Sequence, residues 1–146
     1  MIKFKTGGIM KTNQTQTSDE IVLLDDDPAI RELLIETLKP HPTHSFESGK
    51  AALEWFENHP AHHVALVISD DQMPGLSGLE TMTKIRALAP DLKFVLMSGT
   101  LSGDIKNLVR QNHLNGCLHK PFALSELEQI VETALAENGH ETSPSQ

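Results

Sequence analysis

Residues 64–78, VALVISDDQMPGLSG, carry the clearest structural signal in the chain. The first five residues are all apolar, and such a short run predicts a strand that is buried on both faces. The acidic pair Asp70-Asp71 comes next, and a loop rich in glycine and proline follows it. Ser77 and Glu80 have the spacing of a capping box, which predicts that a helix begins there. The segment therefore indicates one strand–loop–helix unit.

The same alternation of strand and helix extends outward in both directions. Further apolar runs predict strands at residues 21–24, 43–46, 92–97 and 116–119, with 43–46 at a sheet edge. Apolar residues at helical spacing follow the five strands in turn: Ile30, Leu33, Leu34 and Leu38; Ala52, Trp55 and Phe56; Leu79, Met82, Ile85 and Ala89; Ile105, Leu108 and Val109; Leu124, Leu127, Val131 and Leu135. Five such units predict an α/β fold, with a doubly wound, five-stranded parallel sheet of the flavodoxin-like type.

We predict one structured domain with loose ends. Residues 1–18 are polar and lack a hydrophobic period, which predicts a disordered N-terminal extension. Residues 19–137 hold all five units. Residues 138–146, NGHETSPSQ, have the same loose composition and predict a flexible C-terminal tail. Met10 is an alternative start of the chain, and the sequence leaves that choice open.

Composition argues against several classes of protein. The single cysteine, Cys117, excludes an internal disulfide and a cysteine-based metal cluster. No apolar run approaches the roughly 18 residues of a membrane span, and no apolar stretch follows the N-terminal lysines as in a secretory signal. The formal net charge of −8 argues against direct binding of nucleic acid. We therefore expect a cytoplasmic protein.

Polar side chains follow four of the predicted strands. They are Asp25, Asp26 and Asp27 after the first strand, Asp70 and Asp71 after the third, Ser98 after the fourth and Lys120 after the fifth. In a parallel sheet these strand ends share one edge, which is where ligands bind. Clustered carboxylates repel one another unless a cation joins them, and Mg²⁺ prefers oxygen ligands. The pattern therefore predicts a magnesium site with the groups that phosphoryl transfer to a carboxylate requires.

Four segments resemble the conserved blocks of response regulator receiver domains from two-component signal transduction. They are VLLDDDPAIRELL, LVISDDQMPGLSGLE, FVLMSGT and LHKPF, and they stand in the family's order across residues 20–136. Four short motifs in register are much more specific than any one of them. The resemblance implies the (βα)₅ receiver fold of the chemotaxis regulators, with strand order 2-1-3-4-5.

The resemblance also implies roles in phosphoryl transfer. Asp70 matches the phosphoacceptor of the family. Ser98 matches the hydroxyl residue that binds the phosphoryl group, and Lys120 matches the lysine that pairs with it. The family usually has a cis peptide bond at the position of Lys120-Pro121, so we expect one here.

The same resemblance implies a Mg²⁺ cofactor. Asp25 and Asp26 match the acidic pair that holds the ion, one directly and one largely through water. Asp70 and the backbone carbonyl of Gln72 match the remaining protein ligands.

Members of the family receive the phosphoryl group from a sensor histidine kinase or a histidine phosphotransfer protein. Phosphorylation then switches the binding of a downstream protein target through the fourth helix, fifth strand and fifth helix. We expect the same phosphorelay function here, with no enzymatic activity beyond the protein's own phosphorylation and dephosphorylation. The partners that we expect do not include nucleic acid or a membrane, and a homodimer linked to phosphorylation is left open.

Several residues have a simpler structural explanation. Asp27 precedes Pro28 and is predicted to cap the first helix. Asp71 is predicted to point away from Asp70 into solvent, because neighbouring strand residues alternate. Cys117 stands where the family commonly has an aromatic residue whose rotamer responds to phosphorylation. The histidines are interpreted as surface residues rather than metal ligands, and they are His41, His44, His59, His62, His63, His113, His119 and His140.

Two other functions fit parts of the sequence. A haloacid-dehalogenase-like phosphatase also uses an aspartyl nucleophile with Mg²⁺, in the pattern D-x-D-x-[TV], but Ala29 occupies the last position after Asp25 and Asp27. A receiver-like interaction module that is never phosphorylated would fit Cys117 at the switch position. Loss of Mg²⁺ binding would favour the module, and turnover of an external phosphate ester would favour the phosphatase.

Overall fold

The computed structural model describes residues 20–100, 103–111 and 113–138. The strands are β1 (Glu20–Leu24), β2 (Thr43–Phe46), β3 (Val64–Asp70), β4 (Lys93–Ser98) and β5 (Gly116–His119). The helices are α1 (Pro28–Leu38), α2 (Gly49–Asn58), α3 (Gly78–Leu88), α4 (Gly103–Arg110) and α5 (Leu124–Asn138). The predicted extension at 1–18 and residues 139–146 of the predicted tail lie outside the described residues.

The five strands form one parallel sheet in the order β2-β1-β3-β4-β5, which confirms the predicted fold class and strand order. All seven residues of the central strand β3 are buried, as expected for a parallel sheet covered by helices on both faces. The register places Leu24 beside Ser69 and Asp70 beside Met97, so neighbouring strands end at nearly the same level. The residues that follow these strands therefore share one edge of the sheet.

Side chains that alternate along the strands build two separate cores. On one face, strand residues such as Val67 and Phe94 pack in a cluster with buried residues of α2, α3 and α4. On the other face, residues such as Ile68 and Val95 pack with buried residues of α1 and α5. Helices on both faces hold the sheet rigidly, so the edge that carries the polar residues has a fixed geometry. Within the described residues, no helix is long and apolar enough to span a bilayer.

Side-chain caps begin α1, α2 and α3, and the caps predicted at Asp27 and Ser77 are confirmed. The side chain of Asp27 accepts a hydrogen bond from the Ala29 N–H and begins α1. Ser48 accepts from the Ala51 N–H at the start of α2. Ser77 and Glu80 form both bonds of a capping box at the start of α3. These caps satisfy N–H groups that have no partner within the helix, and so fix where each helix begins.

Two leucines of the predicted apolar helix faces are exposed. Leu33 is 47% exposed and Leu124 is 39% exposed. Leu34, the next residue in α1, points to the core, and a side chain one position away lies about 100° around the helix. Leu124 is the first residue of α5. Both leucines line an apolar groove beside Lys120 and Phe122.

The histidines are less uniformly exposed than predicted. His59, His63, His113 and His119 are exposed, but His41, His44 and His62 are half-buried. The rings of His44, His59 and His62 surround Trp55, with ring centroids 4.8, 4.4 and 6.3 Å from it. Among the residues that the structure describes, no group of three histidines is close enough to share a metal ion. His140 lies outside those residues.

His62 holds the amino end of β3 through a bond that depends on protonation. Its Nδ1 accepts a hydrogen bond from the Val64 N–H at 3.1 Å, and its ring meets Phe56 edge-on. A nitrogen that accepts a hydrogen bond cannot carry a proton, so this bond requires the neutral ring. Burial lowers the pKa of His62, and the charges of His63 and His59 lower it further. The charge of Glu20 raises this pKa, but the net shift is downward.

We expect acidification to weaken the fold through His62. Because the folded-state pKa lies below the unfolded value of about 6.5, the unfolded chain binds the proton first, and stability falls as pH drops through that value. His62→Asn keeps an acceptor for the Val64 N–H but cannot titrate, so it should lose less stability on acidification. Because solvent screens this half-buried ring, we expect the two proteins to differ by only a few tenths of a kcal/mol in the stability that they lose on acidification. Urea unfolding near pH 7.5 and near pH 5 measures it, and equal losses in both proteins would contradict the prediction.

Candidate functional site

The polar residues predicted to share the carboxyl edge of the sheet do so. Asp25 follows β1, Asp70 is the last residue of β3, Ser98 is the last of β4 and Lys120 follows β5. The N–H of Lys120 donates to the carbonyl of Ser98 at 2.8 Å, so the loop after β5 stays paired with β4. Two adjacent strands thereby bring a buried hydroxyl and an ammonium group to the end of β3.

Three carboxylates meet at this edge. Asp25, Asp26 and Asp70 each place one oxygen within 4.8 Å of the others. Asp25 is 2% and Asp70 is 7% exposed, while Asp26 is exposed to solvent. Burial is the main cause that raises the pKa of Asp25, and the charge of Asp70 raises it further. The hydrogen bond from Asp27 and the charge of Lys120 lower this pKa, but not enough to cancel the rise. Two buried carboxylates with an exposed third facing them favour a cation at this position.

The residues fit a hard divalent cation. The Oδ2 atom of Asp25 is buried and has no hydrogen-bond partner among the described residues, which is costly for a carboxylate oxygen unless a cation contacts it. Its other oxygen, Oδ1, accepts the Asp27 N–H at 2.9 Å and is held in place. Carboxylate oxygens are the ligands that Mg²⁺ prefers. The cluster of Asp25, Asp26 and Asp70 can therefore hold such an ion.

The turn after β1 fixes Asp25 from two sides. Besides the bond from Asp27, the guanidinium of Arg31 donates to the Asp25 carbonyl at 2.6 Å from the first turns of α1. Sequence reasoning identified Asp27 as a cap but missed Arg31. The spacing of six residues between Asp25 and Arg31 is not a helical contact pattern, so only the folded turn reveals this bond.

Lys120 is the cation of the cluster. Its Nζ lies 3.1 Å from Oδ1 of Asp70 and 4.0 Å from Oδ2 of Asp25. The Lys120-Pro121 peptide bond is cis, as expected; a second cis bond, Lys39-Pro40, was not predicted. One ammonium group offsets at most one of the three carboxylates, so the site keeps a net negative charge.

Ser98 and Gln72 flank Asp70 in different ways. Ser98 is fully buried, and its hydroxyl donates to the Thr100 carbonyl at 2.7 Å and accepts the Thr100 N–H at 3.1 Å. The hydroxyl is therefore turned towards its own loop. Gln72 is exposed, and its N–H donates to Oδ1 of Asp70 at 3.3 Å. The sequence pattern located both residues, but it did not predict these hydrogen bonds.

The prediction for Asp71 was wrong. Its side chain is half-buried rather than solvated. Burial raises the pKa of Asp71, and the charge of Asp70 raises it further. The strand ends at Asp70, so the alternation of strand residues does not extend to Asp71, whose carbonyl instead accepts the Gly78 N–H across the loop.

Gly78 lets α3 approach the end of β3. A Cβ atom at this position would lie 2.6 Å from the Asp70 carbonyl oxygen and 3.0 Å from the Asp71 Cα. Real Cβ atoms essentially never come within 3.0 Å of another heavy atom of this kind, so the distance to the Asp70 oxygen excludes one. Glycine therefore allows the loop from Asp70 to Ser77 to close tightly over the site.

Cys117 lies in β5. It is half-buried, contacts the core on the α2–α4 face of the sheet, and stands three residues before Lys120. Burial raises the pKa of its thiol, against the charge of Lys106. The thiol is therefore a small, largely neutral packing group.

Comparison with known proteins gives a consistent result. Residues 21–132 match the family model described as the response regulator receiver domain. The chain is 36% identical over 118 residues to the C4-dicarboxylate transport transcriptional regulatory protein DctD of Rhizobium meliloti (strain 1021), a match that covers 78% of this chain and 25% of DctD. The chain thus spans only about a quarter of the length of this relative.

Two further matches cover nearly the whole of the other protein. The response regulator receiver protein CpdR of Brucella abortus (strain 2308) is 29% identical over 118 residues, covering 79% of this chain and 95% of CpdR. A crystal structure of a CheY-like response regulator receiver domain protein from Methanospirillum hungatei JF-1 superposes with a TM-score of 0.74 at 21% identity, covering 84% of this chain and 98% of that one. The structural match concerns the fold.

Asp25→Asn should stabilise the metal-free protein by about 1 kcal/mol, because it removes a buried charge whose Oδ2 accepts no hydrogen bond. Lys120 lies 4.0 Å from that oxygen and keeps its closer partner, Asp70, in the variant. Urea unfolding in EDTA measures the change. Added Mg²⁺ should then stabilise the wild type and leave Asp25→Asn unchanged.

A matched control is Asp91→Asn, which removes an exposed carboxylate beyond the amino end of β4 and should change stability by less than about 0.5 kcal/mol. A variant at Asp25 that is no more stable than wild type in EDTA, or that gains equally from Mg²⁺, would contradict the metal interpretation.

Proposed function

The chain belongs to the response regulator receiver family, and on this premise we propose that it is a phosphoacceptor of a two-component phosphorelay, with Asp70 as the acceptor. One observation carries the proposal. The carboxylates of Asp25, Asp26 and Asp70 lie within 4.8 Å of one another, and the ammonium group of Lys120 lies 3.1 Å from Asp70. Phosphoryl transfer depends mainly on positioning and on stabilising charge, and these groups supply both.

The transfer step makes one bond and breaks one. An oxygen of ionised Asp70 attacks the phosphorus of a phosphohistidine, the bond between phosphorus and the imidazole nitrogen breaks, and the electron pair leaves with the imidazole. The product is an aspartyl phosphate. An ionised carboxylate is already a nucleophile, so this step needs no general base.

Asp25, Asp26, Asp70 and the backbone carbonyl of Gln72 would hold Mg²⁺. The chemistry that the ion supplies when bound is positive charge beside the phosphoryl oxygens. Asp25 would contribute Oδ2, the oxygen that accepts no hydrogen bond, while Asp26, which is exposed, would act largely through water. Holding the ion also relieves the repulsion between the two buried carboxylates.

Ser98 and Lys120 would bind the new phosphoryl group. Lys120 already pairs with Asp70 and would shift to a phosphoryl oxygen. The hydroxyl of Ser98 would turn from the Thr100 carbonyl to another phosphoryl oxygen. Gly99 and Thr100 would move with it, and this movement would change the surface formed by α4, β5 and α5.

That surface would bind a downstream protein target. The phosphoryl donor would be a sensor histidine kinase or a histidine phosphotransfer protein. One relative is a much longer transcriptional regulatory protein and another is little longer than the matched domain, so both a larger regulator and a stand-alone regulator are compatible with this domain. We further propose that the domain works in the cytoplasm, contacts neither nucleic acid nor a membrane directly, and catalyses only its own phosphorylation and dephosphorylation.

Two alternatives fit less well. Asp27 would be the second aspartate of a haloacid-dehalogenase-like phosphatase, but its side chain caps α1 through the Ala29 N–H. The interaction module without phosphorylation is favoured only by Cys117. The pairing of Lys120 with Asp70 beside two more carboxylates is the feature that argues against it.

Incubation with acetyl phosphate and Mg²⁺ should add one phosphoryl group, a gain of about 80 Da in the intact mass. Asp70→Asn should gain nothing, because an amide is a poor nucleophile. If the wild type gains nothing, a phosphorylated histidine kinase is the second donor to test. No transfer from either donor would contradict the proposal.

Phosphorylation should change amide hydrogen exchange on the surface formed by α4, β5 and α5. We expect changes of about fivefold or more in α4 and β5, the lower end of the usual scale of coupling between sites. We expect smaller changes in α2, which lies on the same face of the sheet but packs against β1 and β2. Hydrogen exchange with and without acetyl phosphate measures this, with Asp70→Asn as control. Unchanged exchange in α4 and β5 of a phosphorylated sample would contradict the proposed switch surface.

A further inference from the structure

Asp25 offers one oxygen to the carboxylate cluster, because its other polar groups are already hydrogen-bonded. Its N–H donates to the Phe46 carbonyl at 3.2 Å, and its Oδ1 accepts the Asp27 N–H at 2.9 Å. Its carbonyl accepts a hydrogen bond from the Arg31 guanidinium at 2.6 Å. Among the residues that the structure describes, Oδ2 is left without a hydrogen bond. The three bonds therefore fix where this oxygen lies.

Arg31 is the side-chain partner in this set. The bonds from Phe46 and Asp27 use backbone groups, whereas the bond to the Asp25 carbonyl depends on the guanidinium of Arg31. A hydrogen bond from a charged donor is shorter and stronger than one between neutral groups. Arg31 is half-buried in α1, so its side chain holds the turn after β1 against the helix that follows. The position of Asp25 therefore depends on Arg31.

The charge of Arg31 does not neutralise the cluster. Lys120 pairs with Asp70 and Asp25, and no ion pair found within residues 20–100, 103–111 and 113–138 includes Arg31. Because the guanidinium contacts the backbone of a cluster residue, its positive charge by itself repels a cation bound there. The geometry and the charge of Arg31 thus act on cation binding in opposite directions.

We propose that Arg31 is a positioning residue of the cation site, which holds Asp25 so that its Oδ2 faces Asp26 and Asp70 and so raises the affinity for Mg²⁺. This inference rests on the proposed function, since it concerns the metal site of the same phosphoryl transfer. Arg31 acts through Asp25 and does not touch the ion. Ligands held in place before binding lose less freedom on binding, and groups that orient metal ligands commonly change metal affinity tenfold or more.

Mg²⁺ titrations of the unphosphorylated protein, followed by amide NMR shifts, measure the affinity. Arg31→Met keeps much of the length of the side chain but has no donor, and should weaken Mg²⁺ binding about tenfold. Arg31→Lys keeps a donor at the end of a long chain and should stay within about threefold of wild type. If Arg31→Met does not fold, as judged by its NMR spectrum, Arg31→Gln replaces it, because the amide is too short to reach the same carbonyl.

Arg86→Met separates a positioning role from a general loss of stability. Arg86 is also half-buried, and its guanidinium donates to the Leu92 carbonyl at 3.2 Å, but at the amino edge of the sheet. This control should lower the resistance to urea, because it leaves carbonyl groups without their donor. Its Mg²⁺ affinity should stay within about twofold of wild type.

Phosphorylation by acetyl phosphate gives a second measurement. In Arg31→Met, the Mg²⁺ concentration that gives half the maximal rate should rise about tenfold. The rate at saturating Mg²⁺ should stay within about twofold of wild type, because a residue that only assists ion binding has no further effect once the site is full.

Four results would overturn the inference. They are Mg²⁺ binding in Arg31→Met that is unchanged or tighter, an equal loss in Arg31→Lys, an equal loss in Arg86→Met, and a wild type that binds no Mg²⁺. The two proposals also fail separately. If wild type is phosphorylated and the Arg31 variants bind Mg²⁺ as it does, only the role of Arg31 is wrong. If wild type accepts no phosphoryl group from any donor, the proposed function itself fails.

Discussion

Repulsion between carboxylates held close together at the edge of a parallel sheet is the constraint on which the rest of the site depends. Asp25 and Asp70 are buried, and Asp26 faces them from solvent. Two buried negative charges at this separation are costly in a folded protein. The fold tolerates them because Lys120 approaches both and because the same cluster can hold a divalent cation. The clustered carboxylates thus lower the stability of the fold, and on our proposal they provide binding for a cation and a phosphoryl group.

The surrounding structure fixes this arrangement from several directions. Parallel pairing sets β1, β3, β4 and β5 to end at one edge, and the cap at Asp27 anchors Asp25 through its backbone N–H. Gly78 allows the loop after Asp70 to close. Ser98 is fully buried, but its hydroxyl bonds to Thr100 in the following loop, so we expect it to reorient when a better acceptor arrives. We therefore expect the Ser98 hydroxyl to move while the sheet holds the Asp70 carboxylate in place.

Sequence predicted most of the fold, because strands buried on both faces and capped helices each leave a strong local pattern. The strands at 43–46 and 116–119 have the predicted bounds, and the sheet has the predicted order. Side-chain positions were predicted wrongly or missed where no local sequence pattern determines the direction of the side chain. Asp71 lies just past the end of a strand, so alternation no longer sets its direction. Arg31 reaches a carbonyl six residues away, and such a contact depends on the shape of a turn.

Chemical mapping of the phosphorylated residue tests the central claim most directly. Borohydride reduces an aspartyl phosphate to homoserine and leaves free carboxylates intact, so it marks which of the clustered aspartates carried the phosphoryl group. After phosphorylation, reduction and proteolysis, peptide sequencing by mass spectrometry should find homoserine at position 70 alone. Homoserine at Asp25, Asp26 or Asp71, or phosphate retained on a histidine, would contradict the account.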